Sequence, residues 1–553
     1  MNKTSKAFIK AVIIASALFV TAASPLLAQN RTNILEDEPQ IEIGENIAVA
    51  DTEYGKVKGY ISRGVYTFLG IPYASETSGK NRFMPPQKHE KWEGIRPAVF
   101  YGNSAPQDVY SRASTSYDMF VDHWNYDEIS ENCLALNIWT NAVADGKKRP
   151  VIVWLHGGGF TRGNGIEQDA YHGENIVRYG DVVFCSINHR LGVFGFTDLS
   201  AFGEKYKESG NVGLLDMVSA LQWIHDNIES FGGDPGNVTI IGQSGGGAKV
   251  CLLATMPETK GLIHKGVSLS GSTIRANDKG YSKHLGEYIV KEAGLSESEV
   301  DKLQDMPWKD YMQLAYRAAF RMEKETGGTG MARGSFGPVG DGIHLPEGEF
   351  FGNPDSPDIP MIFCTTFHEW GVERNNPAQE TITKTEAIQK LSERYGENAQ
   401  AIYDAYSRNF PSAKPFDVLV LIYSNRMSVM ESAIAKKKQD SPVYMAWFGF
   451  EPPLFDGRMR AFHCLDISFW FLNTDLMPTH SGGGARPRIL SYKMADSLIN
   501  FARTGNPNCS SLPHWPEFTI EKEETMILND NCEVKNDPDK EGRTVLTESL
   551  KSK

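Results

Sequence analysis

The 553-residue chain has few cysteines for its length, seven in all, and no two stand in C-x-x-C spacing. A dense disulfide framework is thereby excluded, and a zinc ribbon or thioredoxin-like redox site has no basis. Blocks of like charge, a Ser/Pro-rich linker and internal repeats are also missing. Basic residues are outnumbered, 56 Lys+Arg against 69 Asp+Glu, and the net charge of −13 argues against nucleic acid as a partner. A mean hydropathy of −0.36 is far too polar for a multi-span membrane protein. Disorder is excluded from the other side, because 41% hydrophobic and 11% aromatic residues suffice for a large core.

One short apolar run stands at the N-terminus. Lys3, Lys6 and Lys10 lead into residues 11–23, and Ser24-Pro25 breaks the run before Leu26-Leu27-Ala28. It is too short to span a bilayer but suits the core of a signal peptide cleaved after Ala28, with an uncleaved anchor as the alternative. No cysteine follows it for lipid attachment. The sequence therefore predicts an exported protein, secreted or periplasmic, without a stable membrane anchor after cleavage. Loss of three lysines leaves 53 basic against 69 acidic residues, a net charge of −16. Residues 29–45 read as a loose leader, and 46–553 as one continuous domain.

The middle of the chain alternates β-branched runs with helical stretches. Residues 151–155, 182–188 and 238–241 read as buried strands, and 214–230 as a helix with a broad apolar face. Strand–helix–strand order implies a mostly parallel sheet with right-handed crossovers. Residues 283–335 and 377–440 are more helical and polar, which suits insertions over the sheet's edge. Cys185, inside the second strand, reads as a core thiol; Cys509 and Cys532 are the one pair read as a candidate disulfide.

Two glycine clusters carry the chemistry. Gly242-Gln243-Ser244-Gly245-Gly246 directly follows the third strand and precedes a helix expected from Ala248. This fits G-x-S-x-G, a sharp strand-to-helix turn that presents a serine hydroxyl at the sheet's carboxyl edge. A phosphate-binding loop fails, because Ala248 stands where that motif requires lysine. The second cluster, His156-Gly157-Gly158-Gly159-Phe160, follows the first strand. Consecutive glycines let backbone N–H groups face a cavity unobstructed, as an oxyanion hole requires. A dinucleotide fingerprint fails here, since Gly163 comes one place late.

Together with motifs along nearly the whole mature chain, these clusters resemble the type-B carboxylesterases, which include the cholinesterases. The resemblance is carried by Tyr54-Gly55-Lys56-Val57, Phe68-Leu69-Gly70-Ile71-Pro72-Tyr73-Ala74, Glu131-Asn132-Cys133-Leu134-Ala135-Leu136-Asn137 and Gly210-Asn211-Val212-Gly213-Leu214-Leu215-Asp216. Phe231-Gly232-Gly233-Asp234-Pro235 and Phe501-Ala502-Arg503-Thr504-Gly505-Asn506-Pro507 extend it. It implies an α/β-hydrolase fold and hydrolysis of a small-molecule ester through an acyl-enzyme, with no metal or other cofactor.

In that fold the triad runs serine, acid, histidine. The resemblance implies Ser244 as nucleophile, Glu369 in Phe367-His368-Glu369-Trp370-Gly371 as the acid, and His463 in Phe462-His463-Cys464-Leu465-Asp466 as the base. Asp466 is the rival acid. His368 and Trp370 depart from the family's usual D-E-G, and Val372 rules out a zinc-protease H-E-x-x-H. The family pattern places oxyanion donors at Gly158, Gly159 and Gly245, with Phe160 beside the substrate.

Other departures bear on the substrate. Cys133 is the first cysteine in the chain, so the disulfide that many relatives use to close the rim loop is absent, leaving packing to hold it. Trp124 stands where a cholinesterase tryptophan stacks on choline, or else it packs a lid loop. Gln243 replaces the acid of cholinesterases and disfavours a cationic substrate. A small or aromatic ester is therefore expected, against cholinesterase-like, lipase-like and non-catalytic binding alternatives.

Overall fold

The computed structural model describes residues 41–108, 128–327, 336–372 and 375–551. Its centre is a twelve-stranded sheet. Arg149–Leu155 lies between Val183–Ile187 and Gly233–Gln243, and Lys265–Leu269, Met361–Thr366, Val443–Phe448 and Glu524–Leu528 continue outward, all seven strands parallel. Antiparallel strands close the two ends: Ala135–Thr140, Val65–Pro72, Tyr60–Ser62 and Ile41–Glu42 on one side, Glu533–Asn536 on the other. This is the mostly parallel sheet that strand–helix–strand order predicts, in the α/β-hydrolase arrangement that the resemblance implies.

The central strands lack polar alternation because both faces are covered. Val151, Val153 and Leu155 join a core containing Leu214, Leu221 and Trp223 of helix Val212–Asn227. Ile152 and Trp154 point the other way, into a core with Met494 and Leu498 of helix Ala485–Thr504. The expected strands and the helix thus form, with ends shifted by a few residues. Helices such as Lys279–Glu292, Trp308–Thr326, Lys384–Tyr395 and Ala399–Asn409 fill the two stretches read as helical insertions.

Three expectations need correction. The segment read as loose up to residue 45 contributes Ile41–Glu42 to the sheet edge, where its backbone pairs with Ile61 and Ser62. Cys509 and Cys532 are separate thiols, like the other five cysteines: Cys509 meets Ser511 Oγ at 3.2 Å, and Cys532 donates to the Asn529 carbonyl. The two described ends of the segment after Ser104 are joined by hydrogen bonds, which the expectation of packing alone left out. Ser104 N donates to Glu128 O at 2.9 Å and Ser130 N to Ser104 O at 3.0 Å.

Two of the sequence motifs contribute a carboxylate to a buried ion pair. Glu131 receives Arg82 Nε and Nη2 at 2.7 and 2.6 Å, and Asp216 receives Arg190 in the same two-pronged way at 2.8 and 2.6 Å. Among the described residues no helix is long and apolar enough to cross a membrane. Residues 1–28, read as the signal peptide, lie outside the described residues.

Candidate active site

Parallel register brings the carboxyl ends of four neighbouring strands to one edge. Gly242 pairs with Leu155 and Ser268, Gln243 with Leu269, and Leu269 with Cys364. The loops that leave these ends hold the glycine cluster, Ser244, Gly271 and Glu369. Loops at the carboxyl edge of such a sheet are free to meet around a ligand.

Ser244 occupies a tight turn, φ 57° and ψ −125°, between strand Gly233–Gln243 and helix Gly245–Leu253. Its N–H donates to the Leu269 carbonyl at 2.8 Å. The helix begins at Gly245, three residues before the expected Ala248. Glycine is a poor helix former, but a side chain at 245 would sit 2.1 Å from the Gly159 carbonyl oxygen. That close approach sets the backbone of Gly245 against the second glycine cluster, where Gly158 and Gly159 have φ of 78° and 64°.

Glu369 and His463 meet directly: Nδ1 of the imidazole is hydrogen-bonded to Oε2 of the carboxylate. The pairing is reinforced from the main chain, where His463 N donates to Glu369 O at 2.9 Å. The other carboxylate oxygen accepts from Thr365 Oγ1 and from the Thr366 N–H at 2.9 Å. Burial pushes the Glu369 carboxyl's pKa up, but the facing imidazole and these donors outweigh it and hold it below the usual range. Trp370 lies against the imidazole with ring centroids 3.8 Å apart. Gln243, next to Ser244, places Nε2 3.4 Å from both ring nitrogens and accepts from Cys464 Sγ at 3.0 Å. The serine turn and the histidine loop are thus joined side chain to side chain.

Asp466, the rival acid, has other surroundings. It is fully buried, Oδ2 accepts from Trp470 Nε1 at 3.2 Å, and Oδ1 has no hydrogen-bond partner. Burial, helped by the charge of Glu369, raises its pKa to about 7. A carboxyl whose pKa is raised on folding loses stability as pH climbs from its unfolded value near 4 to its folded one. Asp466→Asn is therefore expected to stabilise the protein by up to about 4 kcal/mol at pH 8 and hardly at all at pH 4. Melting temperatures at the two pH values check this; an equal change at both would refute it.

A cavity of about 480 Å³ opens beside the glycine loop, lined by Gly158, Gly159, Phe160, Leu252, Asn277 and Phe336 among others. Arg162 and Arg275 also line it, and among the described residues no carboxylate does. Phe160 is held edge-on to Phe196, with centroids 5.6 Å apart. Trp124 lies outside the described residues. Sequence reasoning did not single out Lys249, Gly271 or Thr365. Lys249 is the lone charge in an apolar helix, and Gly271 stands in Ser-Gly-Ser immediately after a strand; these were the available signals.

Residues 46–545 match the profile of the Carboxylesterase family. The para-nitrobenzyl esterase of Bacillus subtilis is 32% identical over 507 residues, covering 90% of this chain and 98% of that protein. The phenmedipham hydrolase of Pseudarthrobacter oxydans is 31% identical, with 88% and 97% covered. Among solved structures, an esterase from Clostridium hathewayi that can hydrolyse aliphatic aromatic polyesters superposes with a TM-score of 0.79. It is 34% identical, and the match covers 93% of this chain and 100% of that one.

Proposed function

The chain belongs to the carboxylesterase family and is a carboxylic ester hydrolase, and from that premise we propose a serine esterase acting on neutral small or aromatic esters. The observation that carries this reading is the Glu369–His463 hydrogen bond, joined through Gln243 to the strained turn at Ser244.

Ser244 Oγ attacks the ester carbonyl while His463 Nε2 accepts the hydroxyl proton. The ionised Glu369 keeps the proton of Nδ1 in place, so that Nε2 is the basic nitrogen, and it stabilises the imidazolium. The N–H groups of Gly158, Gly159 and Gly245 receive the negative oxygen of the tetrahedral intermediate. His463 then returns its proton to the departing alkoxide, and the alcohol leaves an acyl-serine. Water attacks that ester with the same base and releases the acid and Ser244. We read residues 46–553 as one catalytic domain, exported by residues 1–28.

The cavity supports the substrate class. Phe160, Leu252 and Phe336 offer apolar contact, and the arginines among the described lining residues disfavour a quaternary ammonium. Relatives named for a nitrobenzyl ester and for aromatic polyesters agree with an aromatic substrate. A panel of nitrophenyl, feruloyl-type, choline and long-chain esters provides the test. Short nitrophenyl or aromatic esters are expected to show the highest kcat/KM. A choline ester should lie at least tenfold below a neutral ester of equal acyl length. A marked choline preference, or activity only on emulsified long-chain esters, would overturn the substrate class.

A further inference from the structure

The helix that begins at the serine turn buries a lysine with no evident packing purpose. Lys249 lies five residues beyond Ser244, and its side chain has no solvent exposure. Its Nζ donates to the main-chain carbonyl of His156 at 2.9 Å. His156 is the last residue of the chain before the three glycines. The same nitrogen lies 5.9 Å from the centroid of the Phe160 ring, at the other end of the glycine cluster. Lys249 therefore spans, from below, the segment that carries Gly158 and Gly159.

Its surroundings make packing alone a poor account of it. Stacked His156 and His189 rings, 4.9 Å apart, lie nearby, and burial together with the charge of Lys249 keeps both imidazoles well below their ordinary pKa. Burial also pulls Lys249 itself down to about 7, against the opposing charge of Glu167. An apolar residue of similar length would avoid this desolvation. What it could not do is donate a hydrogen bond to the His156 carbonyl, which an amine does in either protonation state. Gly158 and Gly159 adopt positive φ and have no side chains to hold them. Their N–H directions thus depend on how the preceding residue is anchored.

We propose that Lys249 is a positioning residue of the oxyanion hole, its donor fixing the His156 carbonyl so that the 157–159 turn stays registered against Gly245. The proposal rests on the serine-esterase reading above. An anchor of this kind acts more strongly on the transition state than on the bound ester, because only the tetrahedral oxyanion requires the full donor geometry.

The test compares Lys249→Met, which keeps the stem and removes the donor, with Lys249→Gln, which keeps an amide donor. For each, kcat and KM are measured on a nitrophenyl ester, with the inhibition constant of a trifluoromethyl ketone that binds as a tetrahedral adduct. Lys249→Met is expected to lower kcat about 10- to 100-fold with KM changed less than twofold. The ketone should weaken by the same factor, and Lys249→Gln should recover part of both. A folded Lys249→Met with kcat within threefold of the parent overturns the proposal. So does a loss of kcat with unchanged ketone affinity, which would mark a merely structural role. If Lys249→Met does not fold, the parallel loss of kcat and ketone affinity must appear in Lys249→Gln. Labelling by a fluorophosphonate separates the two readings: an unlabelled Ser244 in the parent protein overturns the serine-esterase reading, whereas labelled Ser244 with an unaffected Lys249→Met overturns this proposal alone.

Discussion

Replacing Ser244 with alanine is expected to lower kcat on a nitrophenyl ester by about 10⁴- to 10⁶-fold and to leave the fold unchanged. The chemical half follows from the loss of the atom proposed to form the acyl-enzyme; the remaining donors could still polarise a carbonyl but offer no nucleophile. The structural half follows from the hydrogen bonds at the turn. Ser244 N donates to Leu269 O and Ser244 O accepts from Ala248 N at 3.1 Å, both through the main chain. The side chain makes no capping bond to the helix that follows. Alanine at φ 57° carries the same backbone strain as serine, so removing Oγ disturbs nothing that holds the turn. Steady-state kinetics beside a thermal melt check both halves. Activity near that of the parent would remove Ser244 from the mechanism.

Gly271→Ala is expected to damage both activity and stability, although the residue carries no chemical group. A Cβ at this position would stand 1.5 Å from the Ser244 carbonyl oxygen and 2.3 Å from its carbonyl carbon. The obstacle is backbone, so no rotamer change relieves it; one of the two turns must move. Displacing a nucleophile by about 1 Å costs on the order of 10²-fold in rate. Overpacking in a rigid region costs about 1–3 kcal/mol. A kcat reduced at least a hundredfold and a melting temperature several degrees lower are expected together. Gly348→Ala is the control, because a Cβ there meets nothing within 4 Å. A Gly271→Ala protein as stable and active as this control would contradict the close approach.

Both effects trace to the same meeting of strand ends, and it was unequally legible beforehand. The strands around 151–155, 182–188 and 238–241 were readable because a strand buried on both faces needs an uninterrupted apolar run, a purely local requirement. The serine turn was readable because glycine must stand where neighbouring backbones nearly touch. Its helix starts at Gly245 rather than at Ala248, since propensity disfavours glycine while the packing against Gly159 permits nothing larger. The edge strand Ile41–Glu42 was missed because its two exposed residues carry no apolar pattern; only its partner defines it.

The site divides along the same line. Local motifs, and the family resemblance they carry, point to Ser244, the glycine cluster and His463. Only the tertiary structure decided what surrounds them. Glu369, 94 residues from His463, forms the hydrogen bond to its imidazole, whereas Asp466, three residues away, is turned toward Trp470 in a buried pocket. Lys249 and Gly271 acquire their meaning only through His156 and Ser244, which belong to other turns. The reason is physical: local sequence sets the conformation a short segment prefers, but which carboxylate, donor or carbonyl lies across a gap of 3 Å is set by the register of parallel strands. Neighbours in that register are separated in the chain by whole helices, so no local pattern records them.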